Sequence, residues 1–267
     1  MPYGALSAGN RAATAAFCND LQGVRGFGKL YAMLFVVATP IGNLGDLSPR
    51  ALEAFKAASL VACEDTRRTW QLMSAFSIPR PEMISYRQGN EERAGEAVLS
   101  ALAVGRDVVL CSDGGYPGIS DPGYRLMRRC AQDGVPYTVI PGAGAVDVAL
   151  LMSGLSTSSF TFKGFPPRGP GALRNWFAAE KDHDHTLVVY ESPFRIGATL
   201  QAAYEVLGDR EAAVCLELTK LHERAERGYL SDLAAKFAGG KAKGEAVIVI
   251  AGNNPKFIRN KQEGATK

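Results

Sequence analysis

From Met33 onward, short apolar runs of strand length alternate with stretches whose apolar residues recur at helical spacing. Residues 33–39, 59–63, 107–112 and 137–140 read as strands, and helices are predicted over 48–58, 65–76, 90–104, 122–132 and 145–153. Local signals mark several ends. Ser48-Pro49 and Asp121-Pro122 each place an N-cap residue before a proline suited to the first helical turn. Glu91 and Glu92 put negative charge where the helix dipole favours it. Beyond a small, polar stretch at 153–159 the pattern resumes, with strands over 160–162, 186–191, 212–218, 227–230 and 246–251. Helices over 172–180, 194–207 and 231–237 separate them.

This alternation predicts an α/β protein whose first unit surrounds a mostly parallel sheet. The shorter, hairpin-like spacing after 159 suggests a second α/β domain with a mixed sheet. The expected division is an N-terminal extension over 1–32, domains over 33–153 and 158–254, and a basic tail over 255–267. The extension reads as poorly ordered or as the product of an upstream start codon, with Met33 opening the folded part. In sheets of this kind ligands bind beyond the carboxyl ends of the strands. Three loops sit there: 40–47, 112–121 and 141–144.

Composition changes this picture little. A hydrophobic content of 46%, a charged content of 21% and a net charge of +3 are those of an ordinary globular protein, and no apolar run is long enough to span a bilayer. Five scattered cysteines without a CxxC pair point to reduced thiols in the cytoplasm and away from zinc. Basic residues cluster at Lys163, Arg168 and Arg174, and again at Lys256, Arg259, Lys261 and Lys267; both groups are candidate phosphate contacts.

The densest signal is the loop Cys111-Ser-Asp-Gly-Gly-Tyr-Pro-Gly-Ile-Ser-Asp-Pro-Gly123, with four glycines, two prolines and two carboxylates after a strand. Little side-chain bulk lets a ligand approach the backbone, and ordering such a loop is costly in entropy unless it does something. Other motifs fail. Residues 23–29 match phosphate-loop spacing, but Leu30 stands where a magnesium-holding hydroxyl belongs, and no strand precedes them. His183 and His185 flank Asp184 without a third ligand, so no metal site is expected. Gly142-Ala-Gly144 could begin a dinucleotide fingerprint, yet Asp147 occupies the third glycine position.

Taken together, Thr39-Pro-Ile-Gly-Asn-Leu-Gly-Asp46, Cys63-Glu-Asp-Thr-Arg67, Asn90-Glu91, the 112–123 loop, Pro141-Gly142, Gly164-Phe165, Tyr190-Glu-Ser-Pro193, Glu217-Leu-Thr-Lys220 and Lys243-Gly-Glu245 resemble one family. In this order they are similar to the ribosomal RNA small-subunit methyltransferase I family of the tetrapyrrole methylase superfamily, over about residues 33 to 252. The resemblance implies an S-adenosylmethionine-dependent enzyme that methylates a cytidine ribose 2′-hydroxyl in small-subunit (16S) rRNA. It also implies a cofactor cleft between two α/β domains and a homodimer; the scattered thiols and the lack of a membrane-length apolar run add the expectation of a cytoplasmic protein with no membrane association.

Carried onto these motifs, the expected cofactor contacts are Pro40, Asp113, Gly114, Gly115, Pro117, Ile119 and Ala145. Glu64, Asp65, Asn90 and Glu191 are the candidates for positioning or deprotonating the hydroxyl, with Lys220 contacting a phosphate or stabilising the developing alkoxide. Arg67, Lys163, Arg168 and Arg174 are the candidate RNA contacts. For Glu64, Asp65 and Arg67 the competing reading is a helix cap with an ion pair. The chain departs from the family pattern at Gly114, Tyr116, Arg87, Gly89, Ala143, Phe194 and Leu216. Those departures keep two alternatives open: a diverged enzyme of the same fold acting on another substrate, and a non-catalytic RNA-binding paralogue.

Overall fold

The computed structural model describes residues 31–240 and 242–259. Cys18, the glycine-rich stretch 23–29, Lys261 and Lys267 lie outside the described residues, as does nearly all of the 1–32 segment.

The first sheet is five-stranded and entirely parallel, in the order β3-β2-β4-β1-β5. Its strands are β1 (Leu34–Val37), β2 (Leu60–Cys63), β3 (Glu82–Ser85), β4 (Val108–Cys111) and β5 (Tyr137–Ile140). The central strands β2 and β4 are buried at every position, which is why they read as unbroken apolar runs. The edge strand β3 has only partly buried side chains and carries Glu82, so its pattern predicted no strand. Its existence depends on the neighbour β2, with Leu60 to Cys63 paired to Glu82 to Ser85.

Helices α1 (Pro49–Ala57), α2 (Thr66–Ala75), α3 (Glu91–Ala103) and α4 (Tyr124–Asp133) connect these strands, and α5 (Ala145–Ser153) follows β5. The Ser48 hydroxyl caps α1 as expected, accepting from the Ala51 amide at 3.2 Å. Helix α4 corrects the sequence reading. It begins at Tyr124 with Gly123 in the N-cap position and no side-chain cap, so Asp121 is released from the role assigned to it. Gly123 adopts φ +146°, and a Cβ there would lie 2.9 Å from the Gly118 amide nitrogen.

The second sheet, β6-β7-β10-β8-β9, is also five-stranded. It comprises β6 (Phe160–Phe162), β7 (Thr186–Glu191), β8 (Glu211–Leu216), β9 (Arg224–Tyr229) and β10 (Ala246–Ile250). β6 and β7 run parallel and the other pairs antiparallel. Helices α6 (Pro170–Ala178), α7 (Ile196–Leu207) and α8 (Leu230–Phe237) cover one face, where Phe177, Ile196, Leu200 and Leu230 meet Val189, Val214 and Ile248 in one core.

The other face is covered by α5, whose Ala149 and Leu150 pack with Val188, Cys215 and Val249. Thus a helix that follows the first sheet in sequence is buried against the second. An almost wholly apolar sequence (AVDVALLMS) suits it to that bridging place. No helix among the described residues is long and apolar enough to cross a membrane.

Candidate active site

A cavity of about 920 Å³ opens between the carboxyl ends of the first-sheet strands and the second sheet. Its floor is set by backbone. Thr39, just past β1, pairs with Gly115 of the glycine-rich loop through Thr39 N to Gly115 O (3.0 Å) and Gly115 N to Thr39 O (2.9 Å). The Thr39 hydroxyl also donates to the Ser112 carbonyl at 3.1 Å. Tyr116 ties in the third loop: its hydroxyl accepts from the Gly142 amide at 3.1 Å and lies 3.3 Å from the Gly142 carbonyl. The bulky phenol at this departure position therefore clamps the 112–121 and 141–144 loops together.

The first-sheet wall is acidic. Glu64, Asp113 and Asp121 all line it. Asp113 accepts from the Asp65 amide at 3.1 Å and pairs with Arg68 at 3.2 Å. Burial raises the Glu64 carboxyl, and the neighbouring Asp113 charge adds to the rise. Asp121 is pushed up to about 6, by burial first and then by Glu64 and Asp113. It follows Ser120, a non-glycine residue held at φ +64° opposite Gly164 of the second half. Such strain is sustained only where the surroundings impose it, and here it sets the residue just before Asp121 at the junction.

The opposite wall comes from the second sheet. Lys220 lies 3.0 Å from Glu217 and 3.0 Å from Glu245. Burial works against its charge, but the two carboxylates outweigh that and hold its pKa above the usual value. Glu217 and Thr219 both take positive φ (52° and 64°) in the loop that presents Lys220. Gly42 makes room for it, since a Cβ there would sit 2.4 Å from the Lys220 Cγ. Aromatic residues complete the wall: Phe160, Phe162, Phe165 and Tyr190. Burial pushes the Tyr190 phenol up to about 12, with Asp121 the first of the charges adding to it.

Of the cofactor contacts expected from sequence, Pro40, Asp113, Gly114, Gly115, Ile119 and Ala145 line this cavity. Pro117 is buried and lies outside the lining. Glu64, Glu191 and Lys220 also line it, but their circumstances differ. The side chain of Glu191 is fully buried and saturated: it accepts from the Thr199 hydroxyl at 2.5 Å and the Ser192 amide at 2.7 Å, and pairs with Arg195 at 3.3 Å.

Asp65 and Asn90 are outside the lining. Asp65 is the N-cap of α2, and the Arg67 side chain and backbone amide hold its carboxyl well below the usual range. Asn90 bridges Ser85 O and the Arg87 amide at the start of α3.

The candidate RNA contacts separate likewise. Lys163 is half-buried, paired with Glu180 at 2.7 Å and set over the Trp176 ring. Arg174 pairs with Glu205 at 2.9 Å. Arg67 pairs with Asp65 but remains exposed, and Arg168 is exposed without an ion pair among the described residues. In the tail, Arg259 is engaged by Asp232 and Asp209. Asp121, Tyr190, Arg68 and Glu245 were missed as site residues. A signal existed for Asp121, as the second carboxylate of the glycine-rich loop, but its proline neighbour made it look like a cap.

Nothing in the cavity argues against S-adenosylmethionine. A cationic ligand suits a wall of carboxylates, Ile119 and Ala145 offer apolar contact for an aromatic base, and Gly114 and Gly115 expose backbone for close approach.

The family described as Tetrapyrrole (Corrin/Porphyrin) Methylases matches residues 33–234. Several curated relatives carry the name ribosomal RNA small subunit methyltransferase I. The Synechocystis protein is 41% identical, covering 84% of this chain and 80% of its own length. The Mycobacterium bovis protein is 45% identical, covering 83% and 78%. That of Thermotoga maritima is 38% identical, covering 82% and 98%. Among solved structures, the methyltransferase CobJ superposes with a TM-score of 0.63 at 17% identity, over 83% of this chain and 95% of its own. Diphthine synthase gives 0.62 at 18%, over 82% and 90%. At such identities these two speak for the fold alone.

Proposed function

The chain belongs to the ribosomal RNA small subunit methyltransferase I family of the tetrapyrrole methylases, and from that premise we propose that it methylates the ribose 2′-hydroxyl of a cytidine in small-subunit rRNA. It is an S-adenosylmethionine-dependent methyltransferase. The observation that carries the finer reading is the two-walled cleft, acidic on one side and lysine-bearing and aromatic on the other.

When bound, S-adenosylmethionine supplies an electrophilic methyl group on a cationic sulfur. Pro40, Asp113, Gly114, Gly115, Ile119 and Ala145 hold it, with Tyr116 fixing the loops they belong to. The chain itself must align the hydroxyl and accept its proton. Asp121 is the residue suited to that transfer. It faces the cleft, no ion pair engages it among the described residues, and a pKa of about 6 makes it an effective base near neutrality. The 2′-hydroxyl proton would pass to the Asp121 carboxylate, leaving the oxygen nucleophilic towards the methyl group that the cofactor would supply. Lys220 faces the same space and offsets negative charge on that oxygen. Glu64 helps keep Asp121 basic through like-charge repulsion. Asp65, Asn90 and Glu191 support the architecture and do not act on substrate. Arg67 and Arg168 are left as the phosphate contacts.

An rRNA substrate goes with a cytoplasmic site of action, and we further propose a homodimer. Support for the latter is the edge strand β5, which exposes Tyr137 and Val139. Light scattering at several concentrations tests it; a monomer throughout refutes it.

The decisive experiment pairs calorimetry with S-adenosylmethionine and radiolabelled methyl transfer to small subunits lacking the modification. Protection of the product from alkaline cleavage reports a 2′-O-methyl group. Binding with transfer to a cytidine is expected. Binding without transfer removes the substrate reading, and no binding removes the cofactor site.

A further inference from the structure

Two of the most exposed aromatic side chains of the described residues lie on neighbouring loops, one of them lining the cleft and the other next to Pro193, which also lines it. Phe165 is 61% exposed and Phe194 79% exposed. They lie on the loops that follow β6 and β7, which are adjacent and parallel, so both loops leave the same end of the sheet. Arg195 ties these loops together, donating from Nη2 to the Pro167 carbonyl at 2.9 Å. Phe165 is held edge-on to Tyr190, ring centres 5.4 Å apart, and both line the cleft, as does Pro193 next to Phe194. Arg168 is exposed on the first of the loops, and Arg67 and Arg68 are largely exposed on the segment following β2 that supplies Glu64 to the facing wall.

We infer that Phe165 and Phe194 form a stacking rim for unpaired bases of the RNA, holding the strand while the target ribose enters the cleft. This rests on the reading of RNA as substrate. A ribose hydroxyl reaches a closed cleft only if its nucleotide leaves the helix stack, and the lost stacking must be replaced. Aromatic faces replace it without regard to sequence, and exposed arginines beside them meet the phosphates. Large apolar rings left in solvent at the lip of a site have the geometry for this, whereas rings that only supported the fold would be buried.

The test measures three quantities for wild type, Phe165→Ala, Phe194→Ala, Phe194→Leu and Phe194→Trp. These are affinity for a labelled single-stranded, cytidine-containing oligoribonucleotide, affinity for S-adenosylmethionine, and oligomeric state. Each alanine variant is expected to bind the RNA about tenfold more weakly with oligomeric state unchanged, and Phe194→Ala with cofactor affinity unchanged as well. Phe194→Trp should restore binding and Phe194→Leu should not. Val104→Ala, an exposed apolar change at the opposite end of the first sheet, serves as the control. RNA affinity unchanged in both alanine variants overturns the rim, as does full binding by Phe194→Leu. A shift in oligomeric state would assign the patch to a second copy of the chain and also overturn it. If wild type binds no RNA, the substrate reading itself falls; if wild type binds and the variants match it, only the rim does.

Discussion

Carboxylates on the two sides of the cleft meet opposite surroundings, apart from Asp113, which Arg68 and the Asp65 amide engage on the first-sheet wall. On the second-sheet side Glu191 is buried among Thr199, the Ser192 amide and Arg195, and Glu217 is engaged by Lys220 and the Glu245 amide. The Glu245 amide first, and then Lys220, holds the Glu217 carboxyl below its usual range. On the first-sheet side Glu64 and Asp121 face the cavity, and burial with like charge raises both. A carboxylate with every lone pair committed is structural material. One held short of partners is poised to take a proton.

The sharpest way to break this contrast is to remove Glu191. Glu191→Ala should strand the Arg195 guanidinium and the Thr199 hydroxyl and lower stability by about 3 kcal/mol, read by denaturant unfolding. Stability near wild type would place Glu191 among the free carboxylates after all.

Asp121→Asn should do the reverse: a slowing of single-turnover methyl transfer by about a hundredfold, with cofactor binding and the fold intact. Its pH dependence gives a second reading. The rate of wild type should climb with the ionisation of Asp121, through a midpoint at or below about 6, since a cationic ligand would draw the value down. Stability carries the opposite sign. Because the folded pKa is raised, the folded state binds more protons than the unfolded between the ordinary aspartate value of 3.8 and about 6, so this group's contribution is full below that window and lost as pH rises through it. Asp121→Asn should therefore flatten the loss of stability across that range. A pH–rate profile identical in wild type and variant would exclude Asp121 as the base.

A smaller effect is expected at the clamp between loops. Tyr116→Phe removes the hydroxyl bonded to Gly142 and should weaken S-adenosylmethionine binding by about fivefold, or about 1 kcal/mol, without changing the pH profile. The least effect belongs to Asp65→Asn. Asparagine caps a helix as well as aspartate does, and the exposed pair with Arg67 is screened by water. A rate near wild type is expected; a collapse like that of Asp121→Asn would return Asp65 to the catalytic group.

The sequence alone determined the α/β class and singled out the glycine-rich loop, most of whose expected residues line the cavity. Those features are written in local periodicity and in backbone-permissive residues, which act over a few positions. Strand β3 escaped because its pairing comes from β2 and not from its own side chains. The bridging place of α5 escaped because an apolar helix does not state which sheet it covers.

Above all, the surroundings of Glu64, Asp65, Asp121 and Glu191, from which their proposed roles are argued, were decided only by tertiary structure. Each is the same kind of acid in the sequence. What separates cap, buried anchor and proton acceptor is which donors lie within hydrogen-bonding distance and how much water is excluded, and those are set by contacts between residues far apart along the chain.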